Sequence, residues 1–226
     1  AVGAAGGLVF VGTSHVGQAF ATAAALMVAA APGRLAARPV RGGGYSDLVV
    51  ADATSGVPVA VFAGSITASW NDLRRAIEYF DPGERAPGTI VIGRGKWELT
   101  MNTDAADVQD GVAATLRSLA AFWRRRNRGG NATAAPEIVV YAPHTIHDGH
   151  RPRPSPSRIG RCSTPSRAAM VRDAVACGVA IFHAEEDQRH QRPRSSHTRW
   201  RARFVDVSAV TATPEARHLS DGHHFE

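Results

Sequence analysis

The chain has 226 residues, 44% of them hydrophobic, with 26 Lys plus Arg against 20 Asp plus Glu; this apolar content suffices for the core of an α/β domain and excludes disorder of the whole chain. Two cysteines, Cys162 and Cys177, supply neither a disulfide framework nor a four-thiolate zinc site, and one bridge between them stays open. The net charge of +6 would suggest a nucleic-acid partner, but Lys96 is the only lysine, and the runs Arg124 to Arg128 and Arg189 to Arg203 stand beside Gly, Pro and Ser. They read as solvated loops and helix ends, so no specific nucleic-acid partner is expected.

In chain order, Gly7 to Val11 is a continuous apolar run ending at Gly12, as expected of a strand buried on both faces. A helix is expected from Val16 to Ala31, stopped by Pro32-Gly33. Its apolar stretch from Ala19 falls short of the roughly 20 residues that span a bilayer, so it reads as a buried helix with no transmembrane segment. Asp47 to Ala51 and Val57 to Ala63 are strand candidates around the turn-like Thr54-Ser55-Gly56, one of them forming an edge hairpin. Asn71 to Tyr79 reads as a helix capped by Ser69 or Asn71 and stopped by Asp81-Pro82-Gly83.

Thr89 to Ile92 is the next buried strand. From Asp107 to Arg125, apolar residues at Val112, Leu116, Leu119, Ala120 and Trp123 have helical spacing. Glu137 to Tyr141 is a strand, Ser166 to Cys177 a helix, Gly178 to Phe182 a strand or helix exit, and Arg203 to Val207 the last strand. Segments near 150–165 and 185–200 are rich in Arg, Pro, Ser and His and read as flexible insertions in a single domain spanning 1–226.

Strands alternating with helices imply parallel crossovers, hence a three-layer α/β/α domain with a mostly parallel, doubly wound sheet. In such sheets chemistry gathers in loops at the carboxyl ends of the strands. That rule selects Gly12 to His15, Gly64-Ser65, Gly93 to Glu98, Pro143 to His150 and the tail after Val207.

Ser14, in a sharp turn between strand and helix, exposes its hydroxyl at the sheet edge, where helix N-terminal N–H groups stabilise an oxyanion. Read alone, it is simply an N-cap, and that segment by itself favours the cap over the nucleophile. At the other end, Asp221 stands three residues before His224, with Gly222 between them, so the carboxylate can accept from one imidazole nitrogen while the other faces a nucleophile. His223 competes for the same role, but the spacing favours His224.

Three blocks together, Phe10-Val-Gly-Thr-Ser-His15, Ile90-Val-Ile-Gly-Arg-Gly-Lys-Trp-Glu-Leu99 and Asp221-Gly-His-His-Phe225, resemble the SGNH (GDSL) hydrolase superfamily, a flavodoxin-like fold. Within it the sequence is most similar to the PC-esterase branch, which acts on acyl groups of glycans. The family's Gly-Asp-Ser block falls on Gly12-Thr13-Ser14, its Asn-x-Gly-x-Trp block on Gly93 to Trp97, and its Asp-x-x-His block on Asp221 and His224. The resemblance implies Ser14 as nucleophile, His224 as base and Asp221 as its orienter. It further implies an oxyanion and substrate site at Gly64, Gly93, Gly95 and Trp97, Trp97 stacking on a sugar ring.

Two departures carry chemical meaning. Thr13 replaces the aspartate of the first block, which alters hydrogen bonding in the turn and keeps the nucleophile. Gly93 stands where the family has an asparagine that donates to the oxyanion, and losing one such donor costs on the order of 100-fold to 1,000-fold in turnover. With the asparagine gone, the backbone N–H groups of Ser14 and Gly64 are the remaining donors.

The function expected is therefore a serine esterase or acyltransferase acting on acyl groups, O-acetyl foremost, of a small molecule or glycan, with no cofactor. A degenerate domain that binds carbohydrate or protein is the alternative that Thr13 and Gly93 favour. A nucleotide-binding protein ranks last, because no glycine-rich phosphate motif is present. His144, His147, Asp148 and His150 have metal-like spacing in a polar loop without a supporting second layer, and no metal site is expected there. Asn131-Ala132-Thr133 is a glycosylation acceptor pattern and points towards the secretory pathway.

Overall fold

The computed structural model describes residues 6–40, 47–80, 87–95, 97–98, 101, 103–127, 135–142, 165–191 and 199–208. β1 (Gly7–Gly12) runs between β4 (Pro58–Gly64) and β5 (Pro87–Gly93), parallel to both. β6 (Glu137–Tyr141) and β7 (Ala202–Val205) extend the parallel run outward from β5. On the other side β3 (Asp47–Asp52) pairs antiparallel with β4, and β2 (Leu35–Val40) pairs antiparallel with β3, giving the order β2-β3-β4-β1-β5-β6-β7. The mostly parallel α/β sheet expected from the alternation of elements is what forms.

The helices are α1 (Ser14–Ala30), α2 (Trp70–Glu78), α3 (Ala105–Asn127) and α4 (Pro165–His190). Period-two alternation along the strands divides the core between two faces. Val9, Val11, Ile90, Ile92 and Val140 bury with Leu73 of α2, Leu116 of α3 and Phe182 of α4. Val50, Ala60 and Phe62 bury with Val16, Phe20 and Ala24 of α1, where Phe20 stacks on Phe62 with ring centroids 5.8 Å apart. Layers of helix, sheet and helix result.

The hairpin expected around Thr54 to Gly56 is present, linking β3 to β4. Asp52 makes the turn: its Oδ1 accepts from the N–H groups of Thr54 and Ser55 and from the Ser55 hydroxyl, while Gly56 takes φ +70°. Such a carboxylate imitates a backbone turn.

Three elements depart from the sequence reading. β2 was not expected, because Leu-Ala-Ala-Arg-Pro-Val has neither alternation nor an apolar run; backbone pairing with β3 makes it a strand, and Pro39 is tolerated on an outer edge. Helix α1 is not a buried helix. Only His15, Val16, Phe20 and Ala24 are buried in it, and Leu26 is 67% exposed. Gly178 to Phe182 is neither a strand nor an exit, since α4 runs through it to His190.

Gly178 explains that continuity. A Cβ there would lie 2.5 Å from the Gln109 carbonyl oxygen and 2.8 Å from Val112 Cβ, so the glycine is what lets α4 lie against α3. The end of α4 is held the same way: Glu186, 2% exposed, accepts from Arg124 of α3 and from the Trp200 N–H. Glu185 to His190 thus belong to a packed helix, in a stretch that sequence alone reads as a polar insertion. Segment 143–164 lies outside the described residues.

Gly178→Ala gains up to about 1 kcal/mol of helix propensity and forces an overpacked contact costing about 1–3 kcal/mol. The expected outcome is a lower urea midpoint with an unchanged slope; a midpoint at or above that of the parent chain would contradict the packing described.

Candidate active site

The carboxyl ends of β1, β4, β5, β6 and β7 share one sheet edge, because these strands are parallel. Asp47 joins them from the start of antiparallel β3. Gly12 ends β1 opposite Gly64, Thr13 is the extended N-cap of α1, and Ser14 is the first residue of the helix and exposed. Ser14 is therefore not the cap. Thr13 makes no side-chain cap, and the first turn of α1 carries no acidic residue of its own to offset the positive end of the helix dipole.

The turn is tight for a steric reason. A Cβ on Gly12 would lie 2.6 Å from Val16 Cγ2, and one on Gly93 would lie 2.0 Å from the same atom and 3.2 Å from the Tyr141 ring. Glycines at the ends of two adjacent strands thus admit the first turn of α1. Position 93 has no room for an asparagine. Burial pushes the Tyr141 hydroxyl up to about 12, so that phenol stays protonated and offers no base at neutral pH.

The loop after β4 is tied down on every side. Ser65 N–H donates to the Gly12 carbonyl at 2.8 Å, which closes the loop onto the end of β1. Gly64 N–H donates to Asp47 Oδ1 at 3.0 Å, and Arg75 reaches Asp47 with Nε at 3.3 Å and the Gly64 carbonyl with its Nη2 at 3.1 Å. Tyr79 donates its hydroxyl to Asp47 Oδ2 at 3.1 Å. Burial, with the Asp47 charge and hydrogen bond adding to it, raises the Tyr79 pKa above its ordinary value.

Ser65 donates its hydroxyl to Asp72 Oδ2 at 2.6 Å and accepts from the Ala68 N–H at 2.8 Å. Ser69 and Asp72 form a reciprocal capping box at the start of α2. Burial alone would raise the Asp72 pKa, but the Ser65 and Ser69 hydroxyls and Arg75 outweigh it and hold the carboxyl below its ordinary 3.8.

The loop after β5 turns on a buried ion pair. Arg94 Nε lies 3.0 Å from Glu98 Oε1, with both side chains under a tenth exposed, and Glu98 Oε2 accepts from Gly95 N–H at 3.1 Å. Arg94 also donates to the Thr67 carbonyl, so one cation joins the loops after β4 and β5. Gly111 of α3 leaves space for it, since a Cβ there would sit 2.7 Å from Arg94 Nη2. Trp97 is half-buried beside this pair.

At the far end of the edge, β7 delivers the chain into Asp206 and Ser208. Arg172 of α4 holds both, its Nη1 donating to Ser208 Oγ at 2.9 Å and its Nε lying 3.5 Å from Asp206 Oδ2. Asp221, His223 and His224 lie outside the described residues, as do His144, His147, Asp148 and His150. Among the described residues no group of three or more His, Cys, Asp or Glu is placed to hold a metal ion, and no helix is long and apolar enough to cross a membrane.

Ser14, Gly64, Gly93, Gly95 and Trp97 thus lie on the same edge, with the Gly64 and Gly95 amides each already bound to a carboxylate. Sequence reasoning missed Asp47, Arg75, Asp72, Arg94 and Glu98. The spacing Ser69-x-x-Asp72 is a readable capping-box signal, and Arg94 and Glu98 have the four-residue spacing of a local ion pair. Asp47 and Arg75 meet only through the fold.

Compared with known proteins, the chain matches no family model and no curated protein. Among solved structures it is similar to a carbohydrate acetylesterase family member from Sinorhizobium meliloti, 13% identical over 74% of this chain and 71% of that one, with a TM-score of 0.42. A second crystal structure is 17% identical over 70% of this chain, with a TM-score of 0.40, and this chain spans only 57% of it. Likeness at this level carries no information about chemistry.

A carboxyl whose folded pKa is depressed contributes stability that is present above its unfolded value and lost as pH falls through the folded one. Asp72→Asn should therefore lower stability at pH 7, by about 1–3 kcal/mol for lost hydrogen bonds to a charge. The gap to the parent chain should close as pH drops below 3.8. Urea titrations at pH 7, 5 and 3 read this directly, and a gap that does not change with pH would count against the network.

Proposed function

We propose that the protein is a serine esterase or acyltransferase with Ser14 as nucleophile, His224 as general base and Asp221 as the residue that orients the imidazole. The observation that supports it is topological: exposed Ser14 stands at the carboxyl end of β1, and the tail bearing Asp221 and His224 departs from the carboxyl end of parallel β7. From β1 to β7 there are three strand spacings, roughly 15 Å at about 4.8 Å each. Asp221 is 13 residue steps beyond Ser208, a span of about 43 Å when extended, so the chain is long enough to return to Ser14.

In this reading Ser14 Oγ attacks the acyl carbonyl as His224 accepts its proton. The carbonyl carbon gains a bond to Oγ, the alcohol leaves with the proton returned by His224, and an acyl-enzyme remains. Water or a sugar hydroxyl then takes the acyl group by the same steps in reverse, which covers hydrolysis and transfer alike. Oxyanion stabilisation falls to the positive end of α1 at Ser14. Gly64 and Gly95 hold the neighbouring loops in shape through Asp47 and Glu98, and Gly93 leaves room for Val16. O-acetyl groups of glycans are the substrates that the motif resemblance favours.

Activity on a small aryl acetate should rise with pH through an apparent pKa near roughly 6.5, displaced upward by the Asp221 carboxylate. Ser14→Ala should abolish that titrating rate, Asp221→Asn should lower it by about 10⁴-fold, and His223→Ala should leave most of it. Background hydrolysis indifferent to all three substitutions would replace the enzyme with a non-catalytic binding domain.

A further inference from the structure

Both backbone polar groups of Gly64 are held by one ion pair. Its N–H donates to Asp47 Oδ1 at 3.0 Å, and its carbonyl accepts from Arg75 Nη2 at 3.1 Å. The same guanidinium sets Nε 3.3 Å from Asp47 Oδ2, so carboxylate, arginine and glycine backbone close on one another. Asp47 is fully buried. A buried charge pair can often be replaced by apolar side chains with little loss of stability, so stability alone gives no reason for this one.

The next residue supplies a reason. Ser65 N–H donates to the Gly12 carbonyl at 2.8 Å, and Gly12 and Gly64 are partners in the register of β1 and β4. The Gly12 carbonyl belongs to the peptide that leads into Thr13, the cap of α1, and Ser14 follows. Asp47 therefore reaches the Ser14 turn through the Gly64 amide, the peptide to Ser65 and the Ser65 amide, all in hydrogen-bonded contact.

We infer that Asp47 is a positioning residue for Ser14: its carboxylate fixes the peptide from Gly64 to Ser65, and that peptide fixes the Gly12 carbonyl from which the strand-to-helix turn departs. The inference rests on the Ser14 reading above and adds to it a residue that acts on turnover without meeting the reacting groups. Placement of a nucleophile is a steep variable, since a shift of about 1 Å can cost on the order of 100-fold in rate. Asp47 is fully buried and meets no substrate, so kcat should carry the effect and KM little of it.

The test compares Asp47→Ala with Asp47→Asn on a small aryl acetate, in protein shown to be folded by circular dichroism. Asparagine keeps an oxygen for the Gly64 N–H and gives up the charge; alanine gives up both. Asp47→Ala should lower kcat by about tenfold or more with KM within about twofold, and Asp47→Asn should recover most of that loss although both variants lower the urea midpoint. Asp52→Ala, which unties the hairpin turn at the other end of β3, should lower the midpoint and leave kcat in place. If Asp47→Ala does not fold, Asp47→Leu/Arg75→Met removes the Gly64 acceptor without stranding a charge and should show the same fall in kcat. An unchanged kcat in the folded Ala or Leu/Met variant, an equal loss in Asp47→Asn, or an equal loss in Asp52→Ala overturns this inference and leaves the esterase reading standing. Parent turnover that Ser14→Ala does not touch overturns the esterase reading, and this inference with it.

Discussion

Val16 packs into the space left by two missing side chains, and much of the carboxyl edge depends on that contact. Its Cγ2 lies where a Cβ on Gly12 or Gly93 would need to be. Because both positions are glycine, the first turn of α1 sits directly over the ends of β1 and β5, and the connection from strand to helix is a single residue, Thr13. A longer connection would let Ser14 swing away from the sheet. With this one it is fixed at the helix N-terminus, on the surface, at the boundary between two parallel strands.

Around that turn the edge is built from charge held out of water. Asp47 is fully buried and satisfied by Gly64, Tyr79 and Arg75; Arg94 and Glu98 pair beneath the next loop. Replacing such pairs with apolar residues often leaves stability unchanged or improved, so stability alone is a poor reason for their presence. Their geometric effect is specific: each carboxylate takes one backbone amide of the loop beside it, and each arginine takes a carbonyl of the loop after β4. Loops that would otherwise sample several conformations are held in one, next to the turn that presents Ser14.

The parallel strands were legible in the sequence because burial on both faces writes itself as continuous apolar runs, as in Gly7 to Val11 and Glu137 to Tyr141. Amphipathic spacing likewise located α3, and the cap at Ser69 with the stop at Asp81-Pro82-Gly83 located α2. What escaped was set by tertiary contact. β2 is a strand because β3 offers it hydrogen bonds; α4 passes through Gly178 because α3 requires a close approach there; and α1 is apolar yet largely exposed, which no periodicity reveals. At the candidate site, Ser14 and the edge loops followed from the rule for parallel sheets, and β7 ends on that same edge, with the described chain stopping at Ser208. The Asp47–Arg75 pair joins residues 28 positions apart and left no local signal.

The central claim is that Ser14 is an activated nucleophile, and the most direct measurement is covalent trapping with a fluorophosphonate followed by peptide mapping of the folded protein. The account predicts one phosphonyl group on the peptide containing Ser14. It also predicts that His224→Ala slows its formation at least 100-fold, because the hydroxyl would then lack its proton acceptor. An unmodified Ser14 peptide in folded protein, or modification at the same rate with and without His224, would contradict it.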